Sequence, residues 1–271
     1  MMRSLWTAAS GMKAQQFNVD VIANNLANVN TVGYKRDRVE FHDLIYETMR
    51  RAYVMEDGNL DNPRRPVNLQ VGHGVLPVAT TKLFRTGSFE RTDNYLDMAI
   101  QGDAFYVVRA QDGSNVYTRD GSFKLSLTSS GMMLSTSDGL PVLDDGGNEI
   151  YIDVDAPRVI VATNGELSFT NDDGDTEFMG YRIQLVKFQN RNGLETVGDN
   201  FYVQTSASGP PILDDEYGRP SMIRQGYLEM SNVNIADEMV NLIVAQRAYE
   251  INSKCITTSD DMLGIANNLK R

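Results

Sequence analysis

The sequence predicts an α+β protein in which an N-terminal and a C-terminal helix pair as a coiled coil and flank a central all-β domain of short antiparallel strands. Three observations carry this reading. Apolar residues near both ends recur at alternating three- and four-residue intervals. Between them, short apolar runs are punctuated by Asp-Gly and Asn-Gly pairs that favour tight hairpins. No proline follows Pro220, which leaves the last stretch free to form one long helix. The expected segments are residues 1–34 (first half of a helical core), 35–66 (a short helix and an extended loop), 67–231 (a β-rich outer domain) and 232–271 (second half of the helical core).

In the first helix Leu5, Ala8, Met12, Gln15, Val19, Ile22, Leu26 and Val29 form an a/d seam over about four heptads, roughly 40 Å long. Thr31-Val32-Gly33 ends it, with Gly33 suited to a left-handed cap and Lys35 and Arg36 favourable beside the negative helix terminus. Asn24, Asn25 and Asn28 lie beside the seam and read as amide hydrogen-bond formers that fix axial register. Residues 38–51 carry Phe41, Leu44, Ile45 and Met49 at amphipathic helical spacing. Tyr53, Asp57, Gly58, Pro63, Arg64, Arg65 and Pro66 then mark a loop of a length that is uncommon and usually functional, a plain mobile surface connection being the alternative.

From residue 67 the pattern becomes that of strands. Runs at 69–71, 75–78, 98–100, 105–108, 159–162 and 183–188 alternate with turns at Asp112-Gly113, Asp120-Gly121, Asp138-Gly139, Asn164-Gly165 and Asn192-Gly193. Helical spacing resumes near Asn232. Asn234 can cap, Asp237 and Glu238 suit the first turn, and Ile235, Met239, Leu242, Gln246, Tyr249, Ser253, Ile256 and Leu263 mark the second seam. Ala9, Ala23 and Ala27 lie off the first seam and let further helices approach, which predicts an assembly of many copies.

The net charge of −11 argues against nucleic acid or an anionic membrane as main partner. The single cysteine, Cys255, allows no intrachain disulfide and reads as a small core residue near the second seam. No stretch approaches the length of a membrane span. The opening MMRSLWTAASGMK is broken at Thr7, Ser10 and Lys13, and reads as helix rather than as a cleaved leader. His42, placed in a polar helix, and His73, in a glycine-rich turn, have no ligand or nucleophile at the required spacing. Residues 171–175 start like a calcium loop but lack the bidentate acid, and read as an exposed turn. No catalytic residue, metal site or cofactor is expected.

These residues carry a family resemblance. ANNLANVNTVGYK at 23–35, SNVN at 231–234 and QRAYEINSK at 246–254 resemble the terminal signatures of the bacterial flagellar rod and hook proteins. DMAIQG at 97–102 and YTRDGSF at 117–123 match the same family within the β region. The resemblance spans essentially the whole chain, and its length and RSLW opening are nearest the rod members. It implies a structural subunit rather than an enzyme. Copies would stack helically with terminal helices as the inner tube and β domains as the outer wall. That tube would transmit motor torque to the hook and enclose the export channel. Implied partners are further copies of itself, proximal rod proteins below, hook protein above, rod-bushing rings where present, and the flagellar type III export apparatus. No nucleic acid or membrane insertion is implied. The resemblance places the rod in the periplasm, exported without a cleaved signal. Leu5, Met12, Val19, Ile22, Leu26 and Val29, with Ile235, Met239, Leu242, Gln246, Tyr249, Ile256 and Leu263, would be its assembly residues, and residues 53–66 a rod-stiffening loop. A proximal rod or hook subunit of the same family, and a secreted β-rich binding module, are the alternatives.

Overall fold

The computed structural model describes residues 2–50, 67–128, 131–152, 159–170, 176–216 and 218–268. Two helices, α1 (Met2–Ala27) and α2 (Ile235–Asn268), flank a long run of short strands. α2 has the expected length of about 35 residues, at 34, and carries Asp237 and Glu238 in its first turn, where acid suits the helix dipole. Thr257 and Thr258 did not break it: their hydroxyls donate back to the Lys254 carbonyl within the helix.

The chain divides into two compact units. One comprises Met1–Leu26, Asp37–Thr81 and Ile235–Arg271; the other comprises Ala27–Arg36 and Lys82–Asn234. The helical unit therefore takes residues 67–81, which the sequence had assigned to the β domain, and the β unit takes 27–36.

Besides the helices, the first unit holds β1 (Asp37–Asp43), β2 (Tyr46–Arg50), β3 (Leu69–Gly72) and β4 (Val75–Lys82). The helix expected over 38–51 is absent, and His42 lies in a strand. Val39, Phe41, Tyr46 and Thr48 are β-branched or aromatic, and their short apolar run satisfies either period. Backbone partners far along the chain decide the matter. β1 pairs with β4, and β2 pairs antiparallel with β3, Glu47 opposite Val71. Ser10 of α1 accepts the Val75 N–H at 3.4 Å.

In the second unit a six-stranded antiparallel sheet runs in the order Glu195–Gly198, Phe201–Val203, Asn115–Thr118, Phe105–Arg109, Leu185–Lys187, Ile212–Leu213. Its central strand Phe105–Arg109 is apolar from Phe105 to Val108 because both faces are covered there. Tyr106 enters one core with Met98, Phe123 and Leu134, while Phe105 and Val107 enter another with Tyr117, Val186 and Tyr202. Phe105 meets Phe84, Phe188 and Tyr202 edge-on. Two three-stranded antiparallel sheets, over residues 124–152 and 159–182, and the strand pairs Met98–Gln101 with Met222–Gln225 and Phe89–Arg91 with Tyr227–Glu229 complete the described body.

The turn pairs behave according to what surrounds them. Asp112-Gly113 closes a hairpin, with Ala110 N–H donating to the Ser114 carbonyl at 2.8 Å, and Asn164-Gly165 links the strands Val159–Val161 and Glu166–Thr170. Asn192-Gly193 instead sits in a 3₁₀ turn, Arg191–Gly193. Gly121 is required for another reason: a Cβ there would fall on the Met98 carbonyl oxygen. Among the described residues no helix is long and apolar enough to cross a membrane.

Candidate assembly helices and a buried ionic junction

Along α1 the predicted seam is the covered face. Ala8 and Ile22 are buried, while Leu5, Met12, Gln15, Val19 and Leu26 are half-buried. Val29, also half-buried, lies past the end of the helix. The asparagines divide. Asn24 is exposed. Asn25 is buried and completes a reciprocal pair with Asp37, its Nδ2 donating to the Asp37 carbonyl at 2.8 Å and its Oδ1 accepting the Asp37 N–H at 2.9 Å. Asn28 accepts the Thr31 hydroxyl at 3.1 Å just beyond the helix.

On α2 the predicted seam is half right. Leu242, Ser253, Ile256 and Leu263 are half-buried, but Ile235, Met239, Gln246 and Tyr249 are exposed, Met239 at 51 %. The covered residues are Glu238, Leu242, Ala245, Ala248, Asn252, Ser253, Ile256, Ser259 and Leu263. One column of the heptad was placed correctly and the other lies one residue earlier. The cause is size. α1 and α2 run antiparallel and approach closely, with Ser4 Oγ 3.2 Å from Ser259 Oγ, and a Cβ on Gly11 would stand 2.9 Å from Asn252 Nδ2. Small and polar residues fill that approach, whereas a reading by apolarity selects the bulkier neighbours. Farther along, Gln16, Val19, Gln246, Tyr249 and Glu250 line a groove of about 420 Å³. Cys255, expected in a core, is exposed. It lies away from the covered column, and apolarity alone did not specify a side of the helix.

Buried charged residues that sequence reasoning did not bring together lie in the β unit. Lys35, read as favourable beside the negative helix terminus, is fully buried. Its ammonium donates to Glu229 Oε1 at 2.6 Å and to the Arg85 carbonyl at 3.0 Å. Glu229 Oε1 also accepts the Gly87 N–H at 2.9 Å, and Oε2 accepts Arg119 Nη1 at 2.9 Å. Arg119 completes its fork on the Gly102 carbonyl at 2.5 Å and places its guanidinium carbon 5.3 Å from the centre of the Phe105 ring. One carboxylate thus sits between two cations with almost no access to water.

Backbone geometry holds the junction. Gly33, at φ 71°, donates its N–H to the Glu229 carbonyl at 2.8 Å, and a Cβ on it would lie 2.8 Å from the Asp120 nitrogen. The strand Tyr227–Glu229 pairs antiparallel with Phe89–Arg91, which aims Glu229 inward. Asn232 accepts the Arg36 N–H at 2.8 Å and donates to the Leu83 carbonyl at 2.7 Å. Burial, reinforced by Arg119, pulls the Lys35 ammonium down to about 8 against the opposing pull of Glu229. Burial pushes the Glu229 carboxyl up, but Arg119, Lys35 and the Gly87 N–H outweigh it and hold it below its ordinary value.

Three segments of the chain match models of flagellar families: residues 5–35 the flagella basal body rod protein, 99–169 the D1 domain of the flagellar hook protein FlgE/F/G, and 224–269 the C-terminal region of the flagellar basal body rod FlgEFG proteins. The flagellar basal-body rod protein FlgG of Borreliella burgdorferi is 49 % identical over 276 residues, covering 100 % of both chains. FlgG of Caulobacter vibrioides is 41 % identical over 99 % of this chain and 100 % of its own. FlgG of Bacillus subtilis is 38 % identical over 100 % of both. The chain belongs to the FlgG family of flagellar basal-body rod proteins.

Within this rod protein Lys35, Arg119 and Glu229 fall one each in the three matched segments. The sequence signal that could have found them is a lysine closing TVGYK and an arginine inside YTRDGSF, both in runs otherwise destined for burial. The loop residues Tyr53, Asp57, Gly58, Pro63, Arg64, Arg65 and Pro66, and the turn at 171–175, lie outside the described residues. Among the described residues His73 Nδ1 lies 2.9 Å from the Ile45 carbonyl, and no His, Cys, Asp and Glu group could hold a metal.

Proposed function

We propose that this rod protein is a subunit of the distal flagellar rod and that its copies assemble helically into a rigid, hollow drive shaft. In this reading α1 and α2 pair as a coiled coil, and many such pairs form the tube that encloses the export channel and carries torque to the hook. The assembly joins proximal rod proteins below and hook protein above, passes through bushing rings where present, and is built in the periplasm from subunits delivered by the flagellar type III apparatus. The role is structural and involves no catalysis. Residues 53–66 stiffen the shaft.

The observation that supports this most is the surface α2 leaves uncovered. Val240, Ile243, Val244 and Ile251 are exposed on a helix whose opposite side already meets α1, Ile251 at 60 %. A row of large apolar side chains on that scale marks an interaction surface. Torque transfer needs each subunit held to several neighbours at once, and long helices offering apolar surface on more than one side meet that need. Electron microscopy and sedimentation of the full chain beside Ile22→Asp and Leu26→Asp test it. Straight tubes are expected from the native chain only, with the β-unit circular dichroism of both variants intact. Rods of normal length from either variant would sink the helix-seam reading.

A further inference from the structure

Each helix carries a second column, on the side away from the one that meets its partner. On α1, at 100° per residue, Trp6, Lys13, Phe17 and Asp20 fall within a sector of roughly 60° turned away from Leu5, Ala8 and Ile22. Trp6 is 73 % exposed, and Lys13 makes no ion pair among the described residues. On α2 the corresponding column is Val240, Val244, Arg247 and Ile251, flanked by Lys254, Ile243 and Glu250. Arg247 and Glu250 meet each other at 2.8 Å on the exposed surface.

We propose that the outer column of α1 in one copy docks antiparallel on the outer column of α2 in a second copy, Lys13 against Glu250 and Asp20 against Arg247. This rests on the reading that the chain assembles with itself, and adds which surfaces meet and in which direction. Charge order sets the direction. Along α1 the cation Lys13 precedes the anion Asp20; along α2 the cation Arg247 precedes the anion Glu250. A parallel contact sets like against like at both rungs, while an antiparallel contact sets both rungs opposite in sign. Centring the two charge pairs on each other brings Trp6 to the stretch between Cys255 and Met262 and lays Phe17 between Val244 and Ile251. The apolar parts of both columns are then covered by the alignment that pairs the charges.

The chain supplies its own probes, since Trp6 and Cys255 are its single tryptophan and single cysteine. The native full chain is compared as monomer and as polymer by Trp6 emission and by the rate of maleimide labelling of Cys255. On assembly the emission is expected to shift to the blue, and the labelling to slow by about tenfold or more. Lys13→Glu and Glu250→Lys should each raise the critical concentration about tenfold, the size of one close charge pair of ~1.5 kcal/mol, and the double variant should return it near the native value. Polymer whose Trp6 emission and Cys255 labelling match the monomer overturns the docking while leaving self-assembly standing. So does a double variant as impaired as the worse single one. A native chain that never polymerises removes the parent reading, and this inference falls with it.

Discussion

Replacing Glu229 by glutamine should damage the β unit far more than replacing Lys35 by methionine, although the two side chains are partners. Glu229→Gln removes the only charge that Lys35 and Arg119 share, and leaves two cations buried with no anion. Removing one member of a buried pair costs about 3–5 kcal/mol. Lys35→Met leaves Glu229 accepting from Arg119 and Gly87, and the Arg85 carbonyl still accepts from Asn232 Nδ2 at 3.1 Å, so no buried polar group is orphaned. The ammonium is itself held down, from 10.5 to about 8, which disfavours its charged form by roughly 3 kcal/mol. Methionine of similar volume should therefore cost less than about 1.5 kcal/mol. With two units in the chain a single global transition is not assumed, so the assay is native-state hydrogen exchange of core amides in Phe105–Arg109 at neutral pH. Equal losses in the two variants, or a larger loss for Lys35→Met, would refute the picture of an anion clamped by two cations.

The same groups give the pH dependence its sign. Lys35 binds its proton less tightly folded than unfolded, so stability of the native chain should rise from pH 8 toward 10, and that rise should vanish in Lys35→Met. Above about 10 the trend should reverse, because burial pushes Tyr106 and Tyr117 up and keeps them neutral when folded. Glu229, held below 4.5, contributes stability that is complete above that value and lost as pH falls through its folded value; Glu229→Gln should flatten this acid limb.

Gly33→Ala should destabilise the β unit by at least ~2 kcal/mol, since the residue must hold φ 71° and its Cβ would press on the Arg119–Asp120 backbone; an unchanged urea midpoint would count against the junction geometry. Asn25→Ala should cost about 1–3 kcal/mol by removing the two side-chain bonds to the Asp37 backbone, read as faster amide exchange at Asp37 and its β1 neighbours. Shortening residues 53–66 should leave subunits able to assemble but give bent or softer rods, measured as curvature in electron micrographs; straight rods would discount a stiffening role.

What could be read from the sequence depended on whether a neighbour was local. The α1 seam was legible because each covered residue is set by a spacing of three or four within one helix, and the central strand because Phe105 to Val108 is apolar without interruption. The second α2 column was misplaced because Ala245, Asn252 and Ser259 are chosen by how closely Gly11 and Ser4 approach, and small side chains leave no hydrophobic mark. Residues 38–51 read as helix because their true partners lie beyond residue 68, and a short amphipathic run fits both periods. Lys35 was placed only beside the helix terminus for a related reason. Its place in TVGYK hints at burial, but nothing near it in sequence announces Glu229 as its partner.

That dependence on distant partners has a mechanical consequence. The segment leaving α1 and the segment entering α2 are tied to each other inside the β unit before either reaches its helix. Gly33 N–H donates to the Glu229 carbonyl, Lys35 to the Glu229 side chain, and Arg36 N–H to Asn232, while Arg119, next in sequence to the strand Asn115–Thr118 inside the six-stranded sheet, binds the same carboxylate. A pull on residues 27–36 or on 230–234 is thus shared by both and by the sheet, instead of peeling one arm at a time. A greasy cluster could supply equal stability, but it would let the two arms slide. Directional bonds to one carboxylate fix their relative register, and the shaft proposed above, carrying torque through its terminal helices, would require that register to hold under load. Lys35→Met, close to native in stability, separates the two roles: it should assemble normally and yet give rods that twist more under a given torque.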